Sequence, residues 1–214
     1  MMVNSQIKSR ERVNKYGEVY TNKVEINAML DLVNDKAKEI NSTFFEPACG
    51  NGNFLIAIFE RKLDTIINLY SGDSYLFEVY STLAVSSIYG IDIQNDNVEE
   101  SRRRLLKYFK NTFILNFDKE PSETSIKAFK FILKRNIVCG DSLTYKFDNG
   151  KPLVFPEWNL KEDWCFVRRD FLLEKVANPE MKDKYRRKTT YDWFKLQSDN
   201  KKGGESIERK RKAS

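Results

Sequence analysis

Three carboxylates stand at comparable places in the chain: Glu46 after Phe44-Phe45, Asp92 after Ile88-Tyr89-Gly90-Ile91, and Asp141 after Ile137-Val138-Cys139-Gly140. Each follows a short apolar run and is followed by a break, which places an acid at the carboxyl end of a strand three times in order. Ligands of open α/β sheets lie along that edge. A carboxylate there accepts from hydroxyls and amines, because it carries several lone pairs and no competing donor. The chain contains no histidine. This excludes a histidine general base, a serine-histidine dyad and a histidine-bound metal. Binding and positioning of a polar, amine-bearing or cationic ligand is the chemistry left to these acids.

The first acid opens the run Glu46-Pro47-Ala48-Cys49-Gly50-Asn51-Gly52-Asn53-Phe54-Leu55. Pro47 cannot donate to a sheet ladder, so pairing is predicted to stop at Glu46. Gly50 and Gly52 permit positive φ and let a ligand approach the backbone. Asn53 is the expected cap of a helix that carries Phe54, Leu55, Ala57 and Ile58 as its apolar stripe. A dinucleotide fingerprint needs a third glycine where Leu55 stands, and an acid before the turn is a poor neighbour for phosphate. Both points count against a nicotinamide-dependent oxidoreductase.

The Glu46–Leu55 run resembles motif I, the S-adenosylmethionine loop, of the adenine-specific amino-methyltransferases of restriction-modification systems. Three further stretches fall in that family's order, one of them Ile88 to Ile93 with its acid Asp92. Tyr16 to Leu30 resembles motif X, in which Tyr20-Thr21 precedes a helix covering the cofactor, with Asn22 where the family usually has proline. Asn136 to Leu143 resembles motif III, whose acid lies near the cofactor's adenine. The resemblance implies a Rossmann-like class I methyltransferase fold, with an incomplete parallel sheet flanked by helices. It implies a cofactor site of Tyr20, Thr21, Glu46 to Gly50, Gly52 to Leu55, Asp92, Ile93, Asp141, Ser142 and Leu143. In that set Pro47, Ala48, Cys49, Asn53 and Phe54 form the loop, and Asp92 receives the ribose hydroxyls. From the residues alone, Thr21 is an expected helix cap, and Val24, Ala28 and Leu32 with Met29 an expected packing face.

The family's catalytic tetrapeptide, Asp or Asn, then Pro-Pro-Tyr or Pro-Pro-Phe, is missing. Asn178-Pro179-Glu180-Met181 lacks the second proline and the aromatic, and Phe155-Pro156-Glu157-Trp158 lacks an amide in place. In the family's sheet the strand of motif I is central, so with few strands left its edge needs covering. The expectation is therefore a cofactor-binding half, with catalytic residues unknown. A partner methyltransferase or restriction subunit, a second copy in a homodimer, or residues lost in a truncation would complete it. A non-catalytic assembly or regulatory subunit with the same fold is the alternative.

Composition sets the outer bounds. The chain has 214 residues and a net charge of +6, all of it in residues 151–214. Arg168-Arg169, Arg186-Arg187-Lys188 and Arg209 to Lys212, with Trp158, Trp164, Tyr191 and Trp193, are candidates for contacts with DNA. A solvated tail is the competing reading. The expected organisation is a methyltransferase-like domain over 1–150, a basic aromatic-rich extension over 151–197, and a disordered tail over 198–214. Three cysteines, Cys49, Cys139 and Cys165, are widely spaced and odd in number, which fits reduced thiols in a cytoplasmic protein better than disulfides or a zinc site. Without an apolar run of about 18 residues, no membrane partner is expected.

Hydrophobic periodicity predicts helices at about 22–38, 53–62, 73–86, 95–109 and 121–134, and strands at 42–46, 88–92 and 136–139. The charges on the 95–109 helix read as a solvated face. The long link from Leu63 to Ser87 is expected to cap the pocket or carry an interface.

Overall fold

A computed structural model describes residues 8–162, 164–177 and 185–192. It is a mixed α/β protein with two three-stranded sheets. The elements run α1 (Arg10–Tyr16), α2 (Lys23–Asp31), α3 (Asn34–Lys38), β1 (Phe44–Glu46), α4 (Asn53–Tyr70), α5 (Ser74–Ser86), β2 (Ile88–Asp92), α6 (Asn95–Phe117), α7 (Glu123–Asn136) and β3 (Ile137–Cys139). There follow β4 (Val154–Leu160), β5 (Cys165–Leu172), α8 (Leu173–Ala177) and β6 (Tyr185–Asp192). Among the described residues no helix is long and apolar enough to cross a membrane.

Strands β1, β2 and β3 form a parallel sheet in that order, with Glu46 beside Gly90 and Asp92 beside Cys139. Strand β2 has the predicted bounds, β1 and β3 are slightly shorter than predicted at their starts, and β1 stops at Glu46, before the proline. Successive side chains alternate between the two faces. Phe44, Ile88 and Ile137 join the main core with Leu55, Phe59, Phe109 and Phe129 from the helices. Tyr89, Ile91 and Val138 point the other way and meet Leu153, Phe155 and Leu173. Among the described residues β1 is paired on one side only, and Phe45 is 43% exposed.

Residues 151–162 and 164–177 pack into the molecule. Strands β4, β5 and β6 form an antiparallel meander. Pro156 sits in β4, which is tolerable because β4 is an edge strand of its sheet. The Tyr89 hydroxyl donates to the Pro156 carbonyl at 2.8 Å, and the Trp158 indole donates to Asn136 Oδ1 at 2.9 Å. Asn136, wholly buried, also donates to the Ser86 and Ile88 carbonyls, so its amide joins α5, β2 and β4. Expected as a base-stacking residue, Trp158 is instead a core side chain, 6% exposed. Arg168 is bound to Asp170 at 2.6 and 2.9 Å with its guanidinium near the Trp158 ring. Trp164 packs edge-on against Tyr75 and Tyr80 of α5. The basic residues of β6 have no described side chains, and Asn178 to Met181, Trp193 and the 198–214 tail lie outside the described residues.

Several local expectations change. The helix predicted over 22–38 breaks at Leu32–Val33 into α2 and α3. Helix α2 buries Ile26 and Leu30 rather than Val24, Ala28, Met29 and Leu32, because two apolar stripes compete and α4 receives the other one. The cap of α2 is Asn22, not Thr21: Asn22 Oδ1 accepts from the Glu25 N–H at 2.9 Å. The Leu63–Ser87 link is the end of α4 followed by α5, whose Phe77, Val79, Ala84 and Val85 are buried in the core, so it is a packing helix rather than a cap over a pocket.

Candidate functional site

The site is built where the loop after β1 meets β2, α6 and the segment before α2. Cys49 N–H donates to the Ile91 carbonyl at 2.8 Å, which carries pairing one step past Pro47. The chain then reverses through Gly50 (φ 52°) and Gly52 (φ 84°), a left-handed conformation that side chains with a Cβ resist. Gly52 is the N-cap of α4 and gives no side-chain cap. Asn53, expected as the cap, is the first helical residue. Its amide ties the loop outward instead, donating to the Thr21 carbonyl at 3.1 Å and accepting from Arg104 at 2.8 Å.

Helix α6 locks this loop. The Ser101 hydroxyl donates to the Gly50 carbonyl at 2.9 Å, and Arg104 Nη1 donates to the Asn51 carbonyl at 2.7 Å. Arg104 and Arg102 are half-buried, and Arg102 reaches the Ile137 carbonyl at the start of β3. The charges of α6 are therefore not all a solvated face; these two arginines brace the loop and the sheet.

Asp92 is engaged by three donors. Oδ2 accepts from the Gly50 N–H at 2.9 Å, while Oδ1 accepts from the Gln94 N–H at 2.8 Å and Asn97 Nδ2 at 3.3 Å. The acid at the tip of β2 thus holds the glycine turn of β1. Among the described residues Glu46 has one hydrogen bond, a 3.3 Å bond from the Ala48 N–H, which leaves most of its acceptor capacity unused there. Pro47 and Ala48 are exposed beside it. Glu46 and Asp92 both lie near Cys49. Burial first, then these two negative charges, pushes the Cys49 thiol far above its usual range, so it stays protonated and unreactive.

The segment before α2 closes over the loop. The Tyr20 ring lies 3.3 Å from where a Gly50 Cβ would stand. Its hydroxyl donates to Glu18 at 2.5 Å and to Asn97 at 3.1 Å. Glu18 also accepts from the Arg12 guanidinium and from Asn97 at 2.9 Å. Burial would raise the Glu18 carboxyl, but the hydrogen bonds from Arg12, Tyr20 and Asn97 outweigh it and hold the pKa below its usual value. Thr21 is exposed.

Asp141 stands at the third strand tip, in a turn of its own. It accepts from the Leu143 N–H at 2.8 Å and the Thr144 hydroxyl at 2.9 Å, which lower its pKa. Ser142 is half-buried there, and Leu143 and Ile93 are exposed apolar groups on the same sheet edge. Phe54 and Leu55 serve the core: Leu55 is wholly buried and can offer a ligand nothing but its main chain. A cleft of about 780 Å³ is lined by Tyr20, Thr21 and Asn53 with Glu60, Arg104 and Tyr108, and none of the three acids lines it. Asn51 also lines this cleft, and its Oδ1 is buried without a hydrogen-bond partner.

The structure therefore brings Glu46, Gly50, Asp92 and Tyr20 together and sets Asp141 on the neighbouring strand. Glu18, Asn97, Ser101 and Arg104 complete the assembly. Their sequence signals are weak, since a lone Glu, Asn, Ser or Arg at a helix start or in a charged run has no distinguishing spacing. No protein-family model, curated protein or solved structure matches the chain.

Proposed function

We propose that this chain binds S-adenosylmethionine on a Rossmann-like methyltransferase scaffold, as the cofactor-binding component of an adenine-specific DNA methyltransferase. The carrying observation is the bond between the Gly50 N–H and Asp92, which joins a glycine turn after one parallel strand to an acid at the tip of the next. The donor set fits the group chemically. Glu46 keeps free acceptor capacity for an amine or a cationic centre, and Asp92 retains one of about four lone-pair positions for a hydroxyl. Ile93 and Leu143 offer exposed apolar surface beside them for an aromatic base. When bound, the cofactor supplies a methyl group on a positively charged sulfur. The chain's own residues hold and orient it: Glu46 and Asp92 through their carboxylates, with Tyr20 packed over the glycine turn that fixes Asp92.

The amine to be methylated needs a second loop. Strand β1 has a free edge among the described residues, and the chain after β3 turns into an antiparallel meander. A partner subunit paired on that edge would bring the catalytic loop, with DNA as the shared substrate. The same two features favour the second reading, a non-catalytic subunit of methyltransferase-like fold.

Isothermal calorimetry with S-adenosylmethionine tests the common claim. Wild type is expected to bind, and Asp92→Ala and Gly50→Val to bind at least tenfold more weakly with unchanged helical circular dichroism, from lost charge-assisted bonds and a blocked turn. Equal binding by all three chains defeats the site assignment. Methylation of DNA by the isolated chain would refute the need for a second loop, and methylation only with a partner separates the two readings.

A further inference from the structure

Asn97 stands in the first turn of α6, 1% exposed, and every polar position of its amide is used. Nδ2 donates to Glu18 Oε1 at 2.9 Å and to Asp92 Oδ1 at 3.3 Å; Oδ1 accepts from the Tyr20 hydroxyl at 3.1 Å and from Lys8 Nζ at 3.5 Å. Two carboxylates from parts of the chain far apart in sequence thus share one neutral amide. Like charges at such a meeting point repel, and a side chain with two N–H donors gives each carboxylate a hydrogen-bond partner there. Glu18 belongs to the segment that carries Tyr20 over Gly50. Asp92 belongs to the strand tip that holds the Gly50 N–H.

We infer that Asn97 is a positioning residue that couples closure of the 8–20 segment to the orientation of the Asp92 carboxylate. Of the three bonds to Asp92, the Asn97 bond is the longest and the one formed by a side chain. Opening of the segment withdraws Glu18, Tyr20 and Lys8 from the amide and frees it to turn away from Asp92. A ligand with a hydroxyl on Asp92 then meets a carboxylate held by fewer partners. Binding and closure favour one another, as linkage requires of two events that share an element. The ligand part of this inference rests on the S-adenosylmethionine reading above; the closure part does not.

The test uses the full chain with Asn97→Ala, Asn97→Asp, Asp92→Ala and the double variant Asn97→Ala/Asp92→Ala. Two measurements are made: amide hydrogen exchange over residues 9–20 and calorimetric affinity for S-adenosylmethionine. Asn97→Ala is expected to speed exchange over 9–20 about tenfold and to weaken binding about tenfold, with exchange over α7 unchanged as the folding control. Asn97→Asp is expected to do the same at pH 8 and to recover near pH 5.5. There the introduced carboxyl, facing Glu18 and Asp92 with Lys8 and Tyr20 on its other side and Arg12 and Asp96 behind them, takes up a proton and donates as the amide did. In the Asp92→Ala background, Asn97→Ala should cost no further affinity, which a general packing role would not produce. Unchanged exchange over 9–20 in both Asn97 variants overturns the coupling, as do affinity losses that multiply in the double variant. If wild type fails to bind S-adenosylmethionine, the cofactor reading falls and the exchange measurement alone decides the coupling.

Discussion

Lys62 is a buried cation whose burial gives the stability of the fold a pH dependence of definite sign. It projects from α4, is wholly buried, and its Nζ, with three N–H groups to share, lies within hydrogen-bond distance of the carbonyls of Glu39 (2.9 Å), Ile40 (3.0 Å) and Ser42 (2.6 Å) and of the Ser87 hydroxyl (2.9 Å). The Phe44 ring of β1 lies 5.5 Å away. These contacts pin the entry of β1, and so the strand that leads into the glycine loop. Burial pushes the Lys62 ammonium from its ordinary 10.5 down to about 7, against a weaker pull from the Glu39 charge. The folded pKa is thus below the unfolded one. Between pH 7 and 10.5 the unfolded chain binds more protons than the native chain, so this residue's contribution to stability rises with pH and is lost as pH falls toward 7. The slope can reach about 1.4 kcal/mol per pH unit, which integrates to about 2 kcal/mol from pH 7 to 9. Four acceptors around the ammonium favour its charged form, so that figure is a ceiling, and about 1 to 2 kcal/mol is expected. The assay is urea unfolding at pH 7, 8 and 9 of wild type and Lys62→Met, a change that keeps length and removes the titration. Taking the difference cancels the tyrosines and cysteines common to both. Wild type should gain on the variant as pH rises. A difference that stays flat, or declines, refutes the buried-ammonium account.

Two further outcomes follow from packing. A Cβ on Gly52 would stand 2.8 to 3.1 Å from the Ser101 hydroxyl, Cβ and Cα, at a φ of 84°. Gly52→Ala should therefore lose about 2 to 4 kcal/mol in chemical denaturation, with part of the loss recovered by adding Ser101→Gly; no recovery would mean that the backbone angle alone is responsible. Asn136→Ala strands two carbonyls and the Trp158 N–H in the core and should cost about 2 to 4 kcal/mol, against about 1 to 2 for Trp158→Phe. A double-mutant cycle of these two should be non-additive, and additive losses would sever the proposed link between the sheets.

The local parts of this architecture can be read from the chain. Pro47 marks the end of β1, the glycine pair marks the turn, and Ile88 to Asp92 announces its strand, because each signal lies within a few residues of its effect. Long-range choices cannot be read this way. Helix α2 has two apolar stripes of similar size, and it is packing against distant α4 that accompanies burial of Ile26 and Leu30. Arg104 lies 53 residues from Asn51, and Asn97 lies 79 from Glu18, so neither spacing carries a pattern. Pro156 cannot donate to a sheet ladder, and it is the edge position of β4, set by distant pairing with β5, that makes it tolerable there. Trp158 looked like a surface aromatic in a basic stretch, yet its indole satisfies a buried amide.

The meander's place on the parallel sheet has a consequence for how the chain is made. Tyr89 must wait 67 residues for Pro156, and the apolar cover over Ile91 and Val138 ends at Leu173. During synthesis the glycine loop and its acids emerge long before one side of their sheet can be shielded, so the nascent chain carries that bare surface until Leu173 has been made.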